Sequence, residues 1–296
     1  MKRFWHRTGR WLAAACVALG STCVHAVESV STIRIPGGES EDDPRGGYFR
    51  ELLALALDRT VESHGPYRIE ASPIGMLVHG RGVRLLEDGV HIDLLYTMTS
   101  LELEQRLLPV RVPLLRGMLG WRVFLIREGE QARFDAVRTL EDLNTLVAGQ
   151  GHRWPDVDIL RHAGLSVEVG RSYGGLFEML RKGRFDYFPR GVTEIGAELA
   201  VHEGEGLVAE TSLLLVYPTA LYFFVRRDNA PLAARLEQGL RAAIADGAFD
   251  RLYVRYFAET VAAAKLGDRR VLRLANPVLP PETPLNDASL WYRTPE

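Results

Sequence analysis

The chain has 296 residues, of which 47% are hydrophobic and 25% charged, and its formal net charge is −2 at pH 7. This length and composition are those of a globular protein with one large core or two modest ones. Basic and acidic residues are nearly balanced, so the composition gives no sign of the strong positive charge of a nucleic-acid-binding protein, and we predict no nucleic-acid partner.

The first 26 residues have the pattern of a secretory signal. A basic start precedes an apolar run and a small-x-small cleavage sequence: Lys2, Arg3, Arg7 and Arg10, then Trp11–Leu19, then Val24-His25-Ala26. We predict cleavage after Ala26 and export to the periplasm. The apolar run is shorter than the roughly 20 residues that span a bilayer, and no later segment reaches that length, so we predict no transmembrane segment in the mature chain.

Cleavage would also change the cysteine content and the charge. Both cysteines, Cys16 and Cys23, lie in the signal, so the exported chain is predicted to lack disulfide and thiol chemistry. The signal contains four of the 36 basic residues and none of the 38 acidic ones, which leaves a mature net charge of −6.

The first half of the mature chain alternates between predicted strands and helices, separated at the start by a polar loop. In chain order these elements are strand Ser31–Ile35, loop Gly37–Gly46, amphipathic helix Tyr48–Thr60, strand Tyr67–Ala71, helix Gly82–Asp88 and strand Ile92–Met98. Leu107–Arg127 follows as extended chain with two prolines and then a strand, and we place a crossover between two lobes here.

The second half contains a further α/β region and a return to the first lobe. The predicted elements are a helix start at Leu140–Leu143, strand Leu146–Gly151, helix Asp156–Ala163, a β-α-β unit from Val167 to Phe188, strands Val208–Leu215 and Leu221–Val225, and helices Leu232–Ala245 and Phe249–Phe257. Leu213–Val225 is the longest apolar stretch, and Tyr217-Pro218 divides it into two halves.

This order predicts an α/β fold of two lobes, each a mostly parallel sheet flanked by helices, joined by two crossover segments. We assign residues 27–112 and 219–275 to the first lobe, 113–218 to the second lobe, and 276–296 to a tail on the surface. Two crossings between lobes produce a hinge and a cleft, which is a common place for a small-ligand site.

Several blocks resemble the bacterial extracellular solute-binding proteins of family 3, the amino-acid-binding type of periplasmic binding protein. They are the opening strand STIRI, LEDGVHIDLLYTMTS, the two-proline crossover, VAGQG, SYGGLFEMLRKGRFDYF and DGAFDRLY, and together they cover most of residues 30–258. The resemblance implies the type II periplasmic-binding-protein fold, with two lobes that close on a ligand.

Three features depart from the pattern of members that bind α-amino acids. The arginine expected soon after the strand end Thr97–Ser100 is displaced to Arg106. The segment Pro189–Gly191 contains Arg190 where such members place an acid, and the first loop is acidic instead of aromatic. These departures put an ordinary amino-acid ligand in doubt.

We predict ligand contacts at Thr97, Thr99, Ser100, His152, Arg153, Trp154 and Arg190. The three hydroxyls end a strand, where they either face the cleft or cap the next helix. The segment His152–Trp154 starts a helix whose free N–H groups favour anions, and the alternative is a solvated helix end with Trp154 packed on its lobe. Arg190 could fork onto a carboxylate, and the alternative is an ordinary ion pair, perhaps with Glu194.

Other motifs favour structural explanations. Gly170-Arg171-Ser172-Tyr173-Gly174 fits the GxSxG pattern of serine hydrolases, but His202 is the only histidine after Ser172, so we predict that Ser172 caps its helix. The acidic group Glu39, Glu41, Asp42 and Asp43 lacks the alternating spacing of a calcium loop. The remaining histidines show no metal-binding spacing, so we predict no metal and no cofactor.

The sequence therefore predicts an exported binding protein, not an enzyme, that captures a small polar ligand, anionic or zwitterionic, between two lobes. The partner would be a membrane transporter, such as an ABC transporter, or a sensor. Two alternatives stay open. One is a periplasmic enzyme on the same scaffold, such as a dehydratase, and the other is an interaction module that has lost its ligand.

Overall fold

The computed structural model describes residues 1, 30–36, 45–72, 74 and 79–292. The predicted signal sequence beyond Met1, its cleavage site and the acidic part of the loop after β1 lie outside the described residues. The strands are β1 (Ser31–Ile35), β2 (Tyr67–Ala71), β3 (Leu94–Met98), β4 (Leu107–Val110), β5 (Trp121–Arg127), β6 (Val147–Gly151), β7 (Ser166–Gly170), β8 (Tyr187–Gly191), β9 (Leu207–Ala209), β10 (Leu213–Val216), β11 (Leu221–Arg226) and β12 (Arg270–Arg273).

The helices flank these strands. They are α1 (Arg45–Asp58), α2 (Val61–His64), α3 (His79–Asp88), α4 (Leu101–Arg106), α5 (Gln131–Asp135), α6 (Leu140–Leu143), α7 (Asp156–His162), α8 (Tyr173–Arg181), α9 (Ile195–Val201), α10 (Ala230–Ala245) and α11 (Ala248–Ala263). In the part of the chain that the structure describes, no helix is both long enough and apolar enough to cross a bilayer.

The first lobe is built on two small sheets. In one, β1 pairs in parallel with β2, and in the other β11 lies between β3 and β4 and is antiparallel to both. Helices α1, α10 and α11 pack against one another and cover this lobe. The core beneath them is closely packed, with Tyr48, Leu52 and Leu57 fully buried along one side of α1.

The second lobe is built on one larger sheet with the strand order β12-β10-β5-β8-β6-β7, and β9 pairs with β5. Strand β6 is parallel to β7 and β8, whereas β5 is antiparallel to β8, β9 and β10. Its core includes the fully buried rings of Phe124, Phe134, Phe177 and Phe188.

The predicted two-lobe α/β fold is confirmed, and the chain passes between the sheets in both predicted crossover regions, at 111–120 and at 217–220. The sheets are more mixed than predicted. The first crossover leads into β5 and the second into β11, and both strands start at the sheet edge that faces the other lobe. Their neighbours end at that edge, so the pairs β5–β8 and β11–β3 are antiparallel.

The C-terminal region differs from the predicted division at residue 275. Strand β12, within the range assigned to the first lobe, pairs with β10 in the second lobe, because the chain crosses a third time after α11. The described part of the tail is also packed instead of lying freely on the surface. Leu290 is 2% exposed, and the Tyr292 amide donates to the Arg116 carbonyl at 2.8 Å.

Candidate functional site

A cavity of about 70 Å³ lies between the two lobes. The first lobe contributes Phe49 from α1, the end of β3 and the start of β11. The second lobe contributes the start of β5, the end of β8 and the segment that joins β6 to α7. The side chains with aromatic or polar groups in this lining are Phe49, Tyr96, Thr97, Arg122, Trp154, Asp156, Arg190 and Glu194.

Strand direction brings the second-lobe residues together. Strands β6 and β8 are parallel, so the residues that follow β6 and those that end β8 lie at the same edge of the sheet. Strand β5 is antiparallel and begins at that edge, where Arg122 pairs with Gly191 in the ladder and Val123 with Arg190. The topology therefore places two arginines from distant parts of the sequence side by side.

Arg190 is engaged by two carboxylates. Its Nε donates to both oxygens of Glu198 at 2.9 Å, and its Nη2 donates to Glu198 Oε1 at 2.6 Å. Nη2 also lies 3.2 Å from Glu194 Oε2. The Tyr173 hydroxyl donates to Glu198 Oε1 at 2.7 Å. With Arg190 only 3% exposed, this guanidinium is held by its own chain.

Arg122 is engaged in the same way by other partners. Its Nη2 donates to Asp156 Oδ1 at 2.5 Å, its Nη1 to Glu194 Oε2 at 3.3 Å, and its Nε to the Tyr217 hydroxyl at 2.7 Å. That hydroxyl in turn donates to Asp156 Oδ1. Glu194 Oε2 therefore lies between the two arginines, and it also accepts from the Gly191 amide at 2.8 Å.

The five ionised residues Arg122, Asp156, Arg190, Glu194 and Glu198 form what we call the cleft ion cluster, and each is buried. Burial by itself would lower the pKa of both arginines, but the neighbouring carboxylates raise the pKa above its usual value, so both guanidiniums stay charged. Burial also raises the pKa of Tyr173 and of Tyr217, so both phenols stay protonated and can donate hydrogen bonds.

Aromatic rings cover the cluster. The Arg190 guanidinium lies 5.1 Å from the ring centre of Trp154 and 4.9 Å from that of Phe188. On the facing lobe, the rings of Phe49 and Tyr96 are stacked with centroids 4.2 Å apart. The cavity is thus bounded by flat apolar surfaces at two sides and by charged groups at its base, which suits a small ligand with a polar end.

The structure brings some of the predicted contact residues to the cavity and not others. Thr97, Trp154 and Arg190 are in its lining. Thr99 is buried away from the cavity, and its hydroxyl donates to Glu104 Oε1 at 2.6 Å. Strand β3 ends at Met98, so the side chains beyond it no longer alternate between the two faces of the sheet. Ser100 is also outside the lining.

His152 and Arg153 are exposed and lie outside the lining. Both precede the first residue of α7, and the chain turns toward the cavity only at Trp154. Sequence reasoning missed Arg122 and Asp156, which have identifiable signals. Arg122 is the one charge inside the apolar run Trp121–Ile126, and Asp156 follows Trp154-Pro155 at the start of a helix.

Sequence reasoning also missed the spacing of Arg190, Glu194 and Glu198, which lie at intervals of four residues. The strand ends after Arg190, and the turn into α9 brings both acids back onto the guanidinium. The alternative interpretation of Arg190 as an ion-pair partner of Glu194 agrees with this geometry, and Glu198 is the nearer carboxylate.

The GxSxG segment forms no triad with His202. The His202 ring stacks on Phe177 with centroids 4.0 Å apart, and its Nδ1 lies 2.8 Å from Glu205 Oε2. Ser172 is the residue before α8, but its side chain makes no capping hydrogen bond, so the predicted cap is wrong. In the described ranges, no group of three or more histidine, cysteine, aspartate or glutamate side chains could hold a metal ion.

Ser100 and Ser172 both precede a helix, but only Ser100 makes a capping hydrogen bond, so substituting each of them tests whether Ser172 acts as a cap. The Ser100 hydroxyl accepts from the Leu103 amide at 3.2 Å and caps α4. We expect Ser100→Ala to lower the free energy of unfolding by about 1 kcal/mol, and Ser172→Ala to change it by less than about 0.5 kcal/mol. Urea denaturation of both variants measures this, and an equal loss would contradict the geometry at Ser172.

No protein-family model matches the chain, and no curated protein matches its sequence. Solved structures do match its fold. An ancestral arginine-binding protein bound to arginine aligns with a TM-score of 0.57 at 18% identity, covering 77% of this chain and 98% of that one. The VFT2 domain of Bordetella pertussis BvgS, as a double mutant, aligns with a TM-score of 0.59 at 16% identity, covering 76% and 93%.

A third match is a periplasmic binding protein of Salmonella typhimurium with high arginine specificity. Its TM-score is 0.54 at 16% identity, covering 77% of this chain and 100% of that one. These neighbours are similar to the chain in fold at low sequence identity. The chain therefore has the two-lobe fold of the periplasmic amino-acid-binding proteins, as the sequence resemblance implied.

Proposed function

We propose that the chain captures a small polar solute, of the zwitterionic class, between its two lobes. The observation that carries this proposal is the cleft ion cluster at the base of the interlobe cavity. Burying five ionised side chains is costly unless they pair closely, and clusters of this kind are concentrated at functional sites. Here the cluster lies where the two-lobe fold has its cleft.

The charge of the cluster favours a zwitterion over a simple anion. Its two guanidiniums face three carboxylates, so its formal charge is −1. A ligand ammonium group would meet Asp156 or Glu194, which both line the cavity. A ligand carboxylate would compete with Glu194 for Arg122. Thr97 supplies a hydroxyl side chain from the opposite wall, and Trp154 supplies a flat face.

The size of the cavity implies that the ligand enters by movement of the lobes. A volume of about 70 Å³ is well below the roughly 300 Å³ at which typical ligand cavities begin. The crossovers at 111–120 and 217–220 are the segments about which the lobes would turn. We propose that they act as the hinge, and that closure buries the ligand and its contacts with the ion cluster.

The predicted export signal supports a periplasmic location. We propose a partner in the inner membrane, either an ABC transporter or a sensor. Both partners would recognise the closed arrangement of the lobes. Several structural neighbours are described as arginine-binding, and one as the substrate-binding protein of an amino acid ABC transporter.

A second candidate is an interaction module without a ligand. The small cavity and the internal pairing of both arginines favour it, since Glu194 already occupies the position between them. A periplasmic enzyme on this scaffold is a third candidate. We place it last because both arginines and the three acids of the cleft are paired with one another.

A thermal-shift screen of amino acids, dicarboxylates and polyamines tests the proposal. A ligand present at 100 times its Kd stabilises a protein by about 2.7 kcal/mol, so we expect a matching zwitterion to raise Tm by roughly 5–8 °C. Trp154→Ala should abolish that shift, and Arg153→Ala, next to it but outside the cavity, should keep it. A panel without any shift would favour the interaction module.

A further inference from the structure

A second and much larger cavity lies outside the cleft, beside α11. Its volume is about 780 Å³, within the range of small-molecule sites. Its apolar wall is formed along α11 by Val254, Ala258 and Val261, and its polar edge by Arg116 and Lys265. Val254 is 57% exposed, so the apolar wall is accessible from solvent.

Two residues that line this cavity have an unusual, left-handed backbone conformation. Among the described residues, Arg116 and Lys265 are the non-glycine residues with positive φ, at 50° and 46°. Left-handed backbone is unfavourable for such side chains, and strained residues of this kind cluster at ligand-binding and active sites. Both line this one cavity, although 149 positions separate them in the chain.

The strained backbone presents two basic side chains to the cavity, and they differ in their pairing. The Arg116 guanidinium pairs with Asp250, and its Nη2 also donates to the Ser289 carbonyl at 3.2 Å. The Lys265 ammonium is exposed and forms no ion pair with any described residue. Asp268, on the following turn, is the other acid of the lining.

Two buried polar atoms in the wall also lack a partner among the described residues. They are the hydroxyl of Tyr253, a residue 5% exposed, and Nε of Arg116. An unpaired buried polar group costs roughly 1–3 kcal/mol, so an acceptor bound in the cavity within reach of either atom would remove that cost. Two donors and a free ammonium beside an apolar wall point to a ligand with an apolar body and a carboxylate.

We propose that this cavity is a second ligand site, specific for an amphipathic organic acid whose apolar body packs on α11 and whose carboxylate meets Lys265. The site joins elements of both lobes. Helix α11 belongs to the first lobe, Lys265 precedes β12 of the second lobe, and Arg116 is in the first crossover. Tyr292, also in the lining, contacts Trp121 with ring centroids 5.8 Å apart.

Isothermal titration calorimetry of the processed chain with 4-tert-butylbenzoate tests the proposal, with the corresponding benzamide as the uncharged probe. We expect saturable binding of one benzoate per chain and about tenfold weaker binding of the amide, as expected for loss of one charge-assisted hydrogen bond. Lys265→Asn removes the ammonium and keeps a residue that tolerates left-handed backbone, so it should weaken benzoate binding by about tenfold as well.

Two tryptophan variants locate the site. Ala258→Trp fills the cavity from an exposed position of α11 and should abolish binding, whereas Ala263→Trp, exposed on the same helix but outside the lining, should leave it unchanged. The absence of saturable binding, or an equal effect of both variants, would overturn the proposal. So would binding that occurs only when the chain is ended after Tyr292, because the chain's own last residues would then be the occupant.

Discussion

Replacing Arg190 by alanine is expected to lower the free energy of unfolding by about 3–5 kcal/mol. The substitution leaves Glu198 and Glu194 buried without their closest cation, at 8% and 6% side-chain exposure. It also removes the charge that lies against the rings of Trp154 and Phe188. Urea denaturation monitored by circular dichroism measures the loss, with an unchanged m value showing that the unfolded state is unaltered.

Two control variants distinguish the loss of the buried ion pair from the general effect of removing a charge on stability. Arg171→Ala removes an exposed arginine of the same lobe and should change stability by less than about 0.5 kcal/mol. The double variant Arg190→Met/Glu198→Met removes both partners and should lose less stability than Arg190→Ala alone, because Glu198 no longer remains buried without its cation and Glu194 keeps its contact with Arg122. A loss below about 1 kcal/mol for Arg190→Ala would contradict the buried ion pair.

Gly120→Ala is expected to cost about 3 kcal/mol by forcing the two crossovers apart. A methyl group at Gly120 would lie 2.0 Å from the Tyr217 carbonyl oxygen and 3.0 Å from Thr219 Cγ2. These are backbone and buried atoms, so neither can move aside without displacing a crossover. The Tyr217 amide also donates to the Gly120 carbonyl at 3.1 Å, so the same shift would lengthen a hydrogen bond between the crossovers.

Gly174→Ala is the matched control, because a methyl group there would meet nothing within 4 Å. We expect this variant to keep or slightly raise the stability of the protein, since alanine is the better helix former. Thermal denaturation of the two variants side by side measures the difference. An equal Tm would show that the crossovers are not held at the close approach seen at Gly120.

Most helices and strands of the two lobes could be predicted from the sequence, because hydrophobic periodicity is a local property. Helices α1 and α10 and strands β1 and β2 follow directly from apolar residues at regular spacing. Pairing between distant segments could not be predicted in this way. The parallel contact of β12 with β10 depends on where the chain crosses after α11, and nothing in the four residues of β12 predicts it.

The same limit applies to the cleft. Trp154 and Arg190 could be singled out because each lies near the C-terminal end of a recognisable strand, Trp154 shortly after β6 and Arg190 in the last two residues of β8. Arg122 is recognisable as a single charge in an apolar strand, but the sequence gives no indication of which acids will meet it. Its three partners are Asp156 at the start of α7, Glu194 just before α9 and Tyr217 in the second crossover, and only the assembled sheet edge brings them together.

Native mass spectrometry of the chain purified from the periplasm tests whether a zwitterionic solute occupies the cleft against the ion cluster. We expect a 1:1 adduct with a small molecule that carries both an amino and a carboxyl group, present in the natural chain and absent from the Trp154→Ala variant. A protein of bare chain mass under gentle conditions, with no adduct on addition of an amino-acid mixture, would contradict it.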